Sequence, residues 1–242
     1  MKDLTIGCDP ELFLKLSGKF RSVHDLLPGT KEDPYQVPYG AIQVDGVAAE
    51  FNIYPASNRV GFIRNIREVR ESLMENLCQG MVEKGLRGPF ALVAEPVAYF
   101  EQDYFDKLPF EPKLLGCQPD FNAYTGDQND PPETDEPFRT GAGHIHIGWG
   151  SYFDPEDPEH FITCRDVTRQ LDAILYPLAE KWDKDTKRRT LYGAKGSFRP
   201  KTYGVEYRPL SNAWLKDEKT VRLVYDVTLT AVARYFRGER LF

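Results

Sequence analysis

The sequence contains no long apolar stretch and only four cysteines. Carboxylates at Asp9 and Glu11 already interrupt the amino-terminal segment, so neither a signal peptide nor a transmembrane helix is predicted. We therefore expect a cytoplasmic protein that does not act on membranes. The cysteines are far apart and form no C-x-x-C pair, which favours reduced thiols over a disulfide framework or a zinc site. They are Cys8, Cys78, Cys117 and Cys164.

An excess of positive charge is also missing. The 242 residues include 31 Lys and Arg against 37 Asp and Glu, a net charge of −6, whereas binding to nucleic acid requires a basic face. Neither G-x-x-x-x-G-K-[ST] nor G-x-G-x-x-G occurs, so metal ions and arginines would have to hold any nucleotide. The length and the 41% of hydrophobic residues fit one globular domain over residues 1–242.

Periodicity predicts long helices and several strands. Apolar residues at steps of three or four predict helices at 58–86, 158–180 and 217–237, the second with a kink at Pro177. Because strands and helices do not alternate regularly, the pattern indicates an α+β fold with an antiparallel or mixed sheet. Strands are expected at 4–16, 41–53, 90–99, 113–117, 143–149 and 202–209, with a loop at 24–40.

Four of these strands carry polar side chains at alternate positions, which places each pair on one face. An antiparallel sheet with one solvated side alternates in the same way, and that explanation stays open. The residue types nevertheless favour a metal site, because neighbouring carboxylates and imidazoles would be stabilised by Mg²⁺ or Mn²⁺. The pairs are Asp9 with Glu11, Glu50 with Asn52, His144 with His146, and Glu206 with Arg208.

Three local features qualify this interpretation. Pro10 cannot donate a ladder hydrogen bond, so its strand must be an edge or contain a bulge there. Strict alternation turns Asp45 away from Glu50 unless Gly46 forms a bulge, which makes Glu50 the preferred ligand. The basic segment 188–199 could hold phosphate through arginine forks and backbone N–H groups, or could be solvated surface.

Taken in order, the four strand motifs resemble the glutamine synthetase and glutamate–cysteine ligase superfamily, and most closely its small phage-type carboxylate–amine ligases (amidoligases). The resemblance implies two metal ions, with Glu11 and Glu50 at the first. It assigns the second metal to Asp9, His144 and Glu206. It implies that Arg208 faces the transferred phosphoryl group and that Arg199 binds phosphate. Further contacts are expected from Arg189 and Lys195 to the cofactor, and from Asn52, His146 and Lys31 to the substrates.

The resemblance also implies a fold and a reaction. The fold is a curved, mainly antiparallel sheet with helices on the convex side and the site on the concave side. ATP phosphorylates a carboxylate, and an amine then displaces phosphate from the acyl phosphate to leave an amide. The substrates would be small-molecule or peptide acids and amines. Asp9 replaces the family's commoner glutamate, and one ligand of the first metal is missing, for which Asp45 or water is a candidate.

Two other functions remain open on the sequence. A metal-dependent hydrolase or phosphotransferase could use the same carboxylates and histidines to activate water. A binding module could keep the fold without catalysis. The basic Gly-Arg loop and the strand arginine Arg208 favour the ligase, because simple hydrolysis has no use for them, although hydrolysis of a phosphate ester would use them. The intact Glu-x-Arg and His-x-His pairs argue against loss of activity. The sequence predicts neither the identity of the substrates nor the oligomeric state.

Overall fold

The computed structural model describes residues 4–113, 120–130, 134, 136–150 and 152–242. Its strands are β1 (Thr5–Cys8), β2 (Glu11–Leu16), β3 (Lys19–Arg21), β4 (Tyr35–Val37), β5 (Gly40–Asp45), β6 (Ala48–Ile53), β7 (Phe90–Val93), β8 (Val97–Tyr99), β9 (Phe121–Asn122), β10 (Phe138–Thr140), β11 (Ile145–Gly148), β12 (Ser197–Lys201) and β13 (Gly204–Tyr207). The helices are α1 (Arg59–Glu83), α2 (Gln102–Asp106), α3 (Phe110–Lys113), α4 (Pro158–Trp182), α5 (Thr186–Leu191) and α6 (Glu218–Phe236), and a 3₁₀ helix spans Asn212–Lys216.

Two antiparallel sheets carry most of the strands. One has the order β1-β11-β13-β12-β9, and the other has the order β3-β2-β6-β5-β4 with β7 also paired to β2. A separate ribbon pairs β8 with β10. The presence of both helices and antiparallel sheets confirms the predicted α+β class.

The three long helices lie where the apolar stripes predict them. Helix α1 begins after Asn58, whose side chain accepts a hydrogen bond from the N–H of Gly61, and its stripe from Phe62 to Met81 is buried. Helix α1 packs on β5, β6 and α6, while α4 packs on β12, β13 and α6. Pro177 lies inside α4, which continues to Trp182. None of the helices in the described ranges combines the length and apolarity that crossing a bilayer requires.

Two of the predicted strands are wrong in a way that matters for the site. Residues 4–16 form two strands in different sheets, so Asp9 and Pro10 lie between sheets and Pro10 removes no ladder hydrogen bond. Residues 41–53 form a hairpin that turns at Gly46, where φ is +56°, a conformation that glycine adopts readily. The two halves of each predicted strand therefore have different partners.

Smaller corrections concern the connecting segments. The loop predicted at 24–40 contains β4, and the basic segment contains α5 and the start of β12. At the predicted strand 113–117, Lys113 ends α3 and the remainder lies outside the described residues. Cys8, Cys78 and Cys164 are free thiols as predicted, and Cys117 lies outside the described residues.

Candidate active site

A cavity of about 640 Å³ collects the polar side chains of both sheets. In the first sheet, His146 stands opposite Glu206 on β13, and Glu206 stands opposite Arg199 on β12. Since cross-strand partners share a face, these side chains lie together on the side away from the core. The residues between them are buried in the core, as alternation predicts; they are Ile145, Ile147, Val205 and Tyr207.

Asp9, His144, His146 and Glu206 form one cluster, called here the imidazole cluster. His146 Nε2 lies 3.0 Å from Asp9 Oδ2, and His144 Nδ1 lies 3.4 Å from both Asp9 Oδ1 and Glu206 Oε1. Asp9, His146 and Glu206 each offer one ligand atom within 4.8 Å of the others. Asp9 Oδ1 and His146 Nε2 are buried, and their close contacts within the cluster lack hydrogen-bond geometry. Such oriented, unsatisfied donor atoms fit a divalent cation.

The protonation states of this cluster suit metal binding. Burial and the charge of Arg208 lower the pKa of His144 to about 4, which leaves its imidazole neutral at neutral pH. Burial would raise the pKa of Asp9, but His146 and His144 outweigh it and hold that pKa well below its ordinary value. Burial and Asp9 would raise the pKa of Glu206, but the neighbouring His144, His146 and Lys201 outweigh them, and that pKa lies below its ordinary value. Metal ligands must be deprotonated, which holds for Asp9, His144 and Glu206. Burial would lower the pKa of His146, but Asp9 and Glu206 outweigh it and raise that pKa, so His146 would have to release a proton to bind a metal ion.

Glu206 also contacts three cationic side chains. Arg199 Nη1 and Lys201 Nζ each lie 3.1 Å from Glu206 Oε2, and Arg208 Nη1 donates to Glu206 Oε1. Arg208 is itself held by two more partners: Nε donates to Asp120 Oδ2 at 2.7 Å, and Nη2 donates to the hydroxyl of Tyr192. The guanidinium plane is therefore fixed from several directions beside a candidate metal ligand.

Glu11, Asp45 and Glu50 form a second group, called here the carboxylate cluster. Glu11 stands opposite Glu50 in the β2–β6 pair, and its Oε2 accepts the N–H of Ala142 at 2.9 Å. Gln43 Nε2 donates to Glu50 Oε2 at 3.0 Å. Burial and the charge of Asp45 raise the pKa of Glu11 to about 8, and the same causes raise that of Glu50 well above its ordinary value. The positive charge near Glu11 and Glu50, chiefly that of Lys31, does not outweigh burial and the neighbouring acids.

Asp45 corrects the expectation drawn from alternation. Because Gly46 turns the chain back, Asp45 and Glu50 lie on opposite strands of a hairpin, with Asp45 opposite Ala48 and Gln43 opposite Glu50. Positions 43 and 45 therefore share the face of positions 48 and 50. Lys31 reaches the same region and places Nζ 2.7 Å from Asp45 Oδ1. Asp45 is thus available as the acid that the family pattern lacked.

The sequence of the carboxyl-terminal part has a known counterpart. Residues 136–241 match the family model described as phage phiEco32-like COOH-NH2 ligase, type 2. The resemblance to the carboxylate–amine ligases is confirmed. The matched ligase segment contains His144, Arg199, Glu206 and Arg208, whereas Asp9 and the carboxylate cluster precede it. No curated protein gives a significant match to the chain.

Not every candidate residue of the matched segment lines the cavity, and His146, although it contacts Asp9, is not a lining residue. Arg189 Nη2 donates to the carbonyl of Asp183 at 2.5 Å and does not line the cavity. Lys195 Nζ lies 5.3 Å from the ring centre of Tyr124, also away from the lining. Outside this segment, Asn52 of β6 is not a lining residue either. The basic segment therefore contributes Tyr192 and Arg199 to the cavity and is not a phosphate loop along its length.

Lys201, Tyr192 and Asp120 are among the lining or supporting residues that the sequence analysis missed. Lys201 follows Arg199 by two positions in β12, so alternation could have placed it on the same face. Tyr192 and Asp120 carry no such signal, because they meet Arg208 across 16 and 88 residues of chain. The loops that carry them have no periodic pattern.

Proposed function

We propose that the protein is an ATP-dependent carboxylate–amine ligase that forms an amide or peptide bond through an acyl phosphate at a two-metal site. The observation that carries this proposal is the position of Arg208, fixed beside Glu206 in a cavity that holds both acidic clusters. The family match supports ligase chemistry. We propose ATP dependence, the acyl phosphate and the two metal ions in addition. We also propose that the enzyme is cytoplasmic, consists of one domain and acts on neither nucleic acid nor membranes.

Both clusters have the ligands that Mg²⁺ or Mn²⁺ prefers. One ion would be held by Asp9, Glu206 and an imidazole: the family pattern points to His144, while the distances favour His146. The other ion would be held by the carboxylate cluster, with Asp45 supplying the acid that the pattern lacked. Bound Mg²⁺ supplies charge neutralisation for the phosphates of ATP and orients the transferred phosphoryl group.

The cationic side chains of the chain do the rest of the positioning. Arg199, Lys201 and Arg208 converge on Glu206, so an anionic phosphoryl group near Glu206 would meet three cations at once. Asp120 and Tyr192 orient the Arg208 fork before any substrate arrives, which avoids reorganisation during the reaction. Phosphoryl transfer to a carboxylate requires this positioning and charge stabilisation and no protein nucleophile.

The arrangement of layers supports the fold that the resemblance implies. The core face of β12 and β13 packs on α4, and the opposite face of the same strands carries Arg199, Lys201 and Glu206 in the cavity lining. We propose that the sheets curve around the cavity, with α1, α4 and α6 behind them on the convex side. A hydrolase or phosphotransferase on the same site remains the alternative, and the three cations around Glu206 favour transfer to an acid over simple hydrolysis.

The decisive experiment measures ADP release from MgATP across a panel of carboxylic acids, with and without hydroxylamine as a general amine acceptor. A ligase releases ADP only with an acid present and converts that acid to its hydroxamate. Glu206→Gln should abolish both products, and Glu75→Gln, on an exposed position of α1, should abolish neither. ADP release at the same rate without any acid would reject the ligase in favour of the hydrolase.

A further inference from the structure

Tyr192 stands between the imidazole cluster and Arg208, and its hydroxyl contacts both. It accepts a hydrogen bond from Nη2 of Arg208, and it lies 3.2 Å from Nε2 of His144. All three side chains line the cavity. Orienting Arg208 accounts for one of these contacts and leaves the other, to His144, without a role.

The chain fixes the position of Tyr192 on both sides. Tyr192 directly follows α5, and its N–H donates to the carbonyl of Arg188 at 2.7 Å. Gly193 comes next with φ of +71°, and a Cβ at that position would collide with the guanidinium of the buried Arg188. The ring centres of Tyr192 and His144 are 5.8 Å apart. The hydroxyl is therefore held beside His144 by the local geometry of the chain.

The two ring nitrogens of His144 face different groups. Nδ1 lies 3.4 Å from a carboxylate oxygen of Asp9 and 3.4 Å from one of Glu206, whereas Nε2 faces the hydroxyl of Tyr192. A neutral imidazole carries its hydrogen on one nitrogen and accepts with the other. Without a metal ion, the two carboxylates favour the hydrogen on Nδ1, and Nε2 then accepts the hydroxyl hydrogen of Tyr192.

This hydrogen bond would reverse around a divalent cation. For Nδ1 to bind the cation beside Asp9 and Glu206, it must offer its lone pair, so Nε2 must carry the hydrogen. One proton leaves Nδ1 for the solvent and one is taken up at Nε2, so the imidazole stays neutral. Nε2–H then donates to the oxygen of Tyr192, as metal-bound imidazoles usually donate to a polar neighbour.

The reversal also changes what the hydroxyl of Tyr192 can do. Arg208 and His144 would both donate to its oxygen, which uses the acceptor positions and leaves the hydroxyl hydrogen for another partner. Tyr192 lines the cavity together with the cations that surround Glu206. The partner that fits this position is an anionic oxygen of a bound substrate.

We infer that Tyr192 holds His144 in the tautomer that binds a metal ion and then donates its own hydrogen to an anionic oxygen in the cavity. The inference rests on the proposed metal site. It makes Tyr192 a positioning residue for His144 and a direct contact of the bound anion.

The other imidazole of the cluster has a tyrosine of its own. The hydroxyl of Tyr203 meets Nδ1 of His146, whose Nε2 lies 3.0 Å from Asp9 Oδ2. Each candidate imidazole ligand is thus paired with one phenol, and removing either hydroxyl tests one imidazole at a time. Tyr203→Phe is therefore the matched control for Tyr192→Phe.

NMR of the ring nitrogens, in EDTA and through a titration with Mg²⁺, reports the tautomer directly. The chain has four histidines, and the signal lost in His144→Gln identifies His144. In the parent, the hydrogen of His144 should move from Nδ1 in EDTA to Nε2 in Mg²⁺. Tyr192→Phe should raise the Kd read from this titration on the order of 10-fold or more, and Tyr203→Phe should change it less than about threefold.

Calorimetry with inorganic phosphate at saturating Mg²⁺ tests the second role. Tyr192→Phe should weaken phosphate binding on the order of 10-fold, the scale of one hydrogen bond to a charged group, and Tyr203→Phe should leave it near the parental value.

Three outcomes would overturn the inference: His144 that keeps its hydrogen on Nδ1 at saturating Mg²⁺, a Tyr203→Phe variant that loses more Mg²⁺ affinity than Tyr192→Phe, or parental phosphate binding by Tyr192→Phe. Neither measurement uses turnover of ATP. A protein that shows the change of tautomer but forms no hydroxamate would therefore fail the ligase proposal alone, whereas a parent that binds no Mg²⁺ would overturn both.

Discussion

Glu11→Gln should stabilise the metal-free protein, although it removes a side chain of the candidate active site. The pKa of Glu11 rises from its ordinary value of 4.5 to about 8, chiefly through burial and then through Asp45. At neutral pH the unfolded chain has released this proton and the folded chain has retained it. Folding must therefore take up a proton, which costs about 3 kcal/mol at about 1.4 kcal/mol for each pH unit above 4.5.

The direction of the pKa shift determines the pH range in which Glu11 destabilises the folded protein. Because the folded pKa is raised, the destabilisation is absent below about pH 4.5, grows as the pH rises, and levels off above about pH 8. Glutamine does not titrate, and its amide oxygen can still accept the N–H of Ala142. In EDTA, Glu11→Gln should be more stable than the parent by up to about 3 kcal/mol at neutral pH, with no difference near pH 4.5.

Urea unfolding at several pH values, with EDTA or with Mg²⁺, measures this difference. Mg²⁺ at about a hundred times its Kd should stabilise the parent by about 2.7 kcal/mol and should stabilise Glu11→Gln much less. Glu75→Gln removes the same charge from an exposed position and should show no pH-dependent gain. A less stable Glu11→Gln protein in EDTA at neutral pH, or a difference independent of pH, would refute the reasoning.

Two further predictions concern Arg208 beside the first sheet and Asp172 of α4, which accepts a hydrogen bond from the hydroxyl of Tyr207 in that sheet. Arg208→Lys keeps the charge but cannot reach Asp120, Glu206 and Tyr192 together, so kcat for hydroxamate formation should fall on the order of 10²-fold with a much smaller change in ATP affinity. A parental kcat would remove Arg208 from the mechanism. Burial raises the pKa of Asp172 from 3.8 to about 6. The parent should therefore lose up to about 3 kcal/mol of unfolding free energy as the pH rises through that range, and Asp172→Asn should not. Urea unfolding at both ends of that range should show the parent, and not the variant, losing this stability.

Local patterns were sufficient to predict the long helices and the strand faces. The stripe of α1 and the alternation of His144, Ile145 and His146 depend on periods within one element, and both are present in the structure. The family motifs of the second half were recognisable for the same reason, since each is short and continuous.

The partner of each strand could not be predicted from local patterns. Gly7 pairs with His146, while Glu11, four residues later, pairs with Glu50 in the other sheet. Alternation assumes that a strand continues, so it failed where the chain changes sheet at Pro10 and where it reverses at Gly46. Arg208 depends on Tyr192 and Asp120, 16 and 88 residues away along the chain, and no period in β13 encodes those contacts.

The passage from β1 to β2 ties the two clusters together through one proline. Asp9 follows a strand of the first sheet, and Glu11 opens a strand of the second. Any rotation of one sheet against the other would therefore change the distance between the two groups of acids. The proposed two-metal reaction requires both groups at a fixed separation and would not tolerate such a rotation, so we expect its substrates to enter and leave without a movement of one sheet against the other.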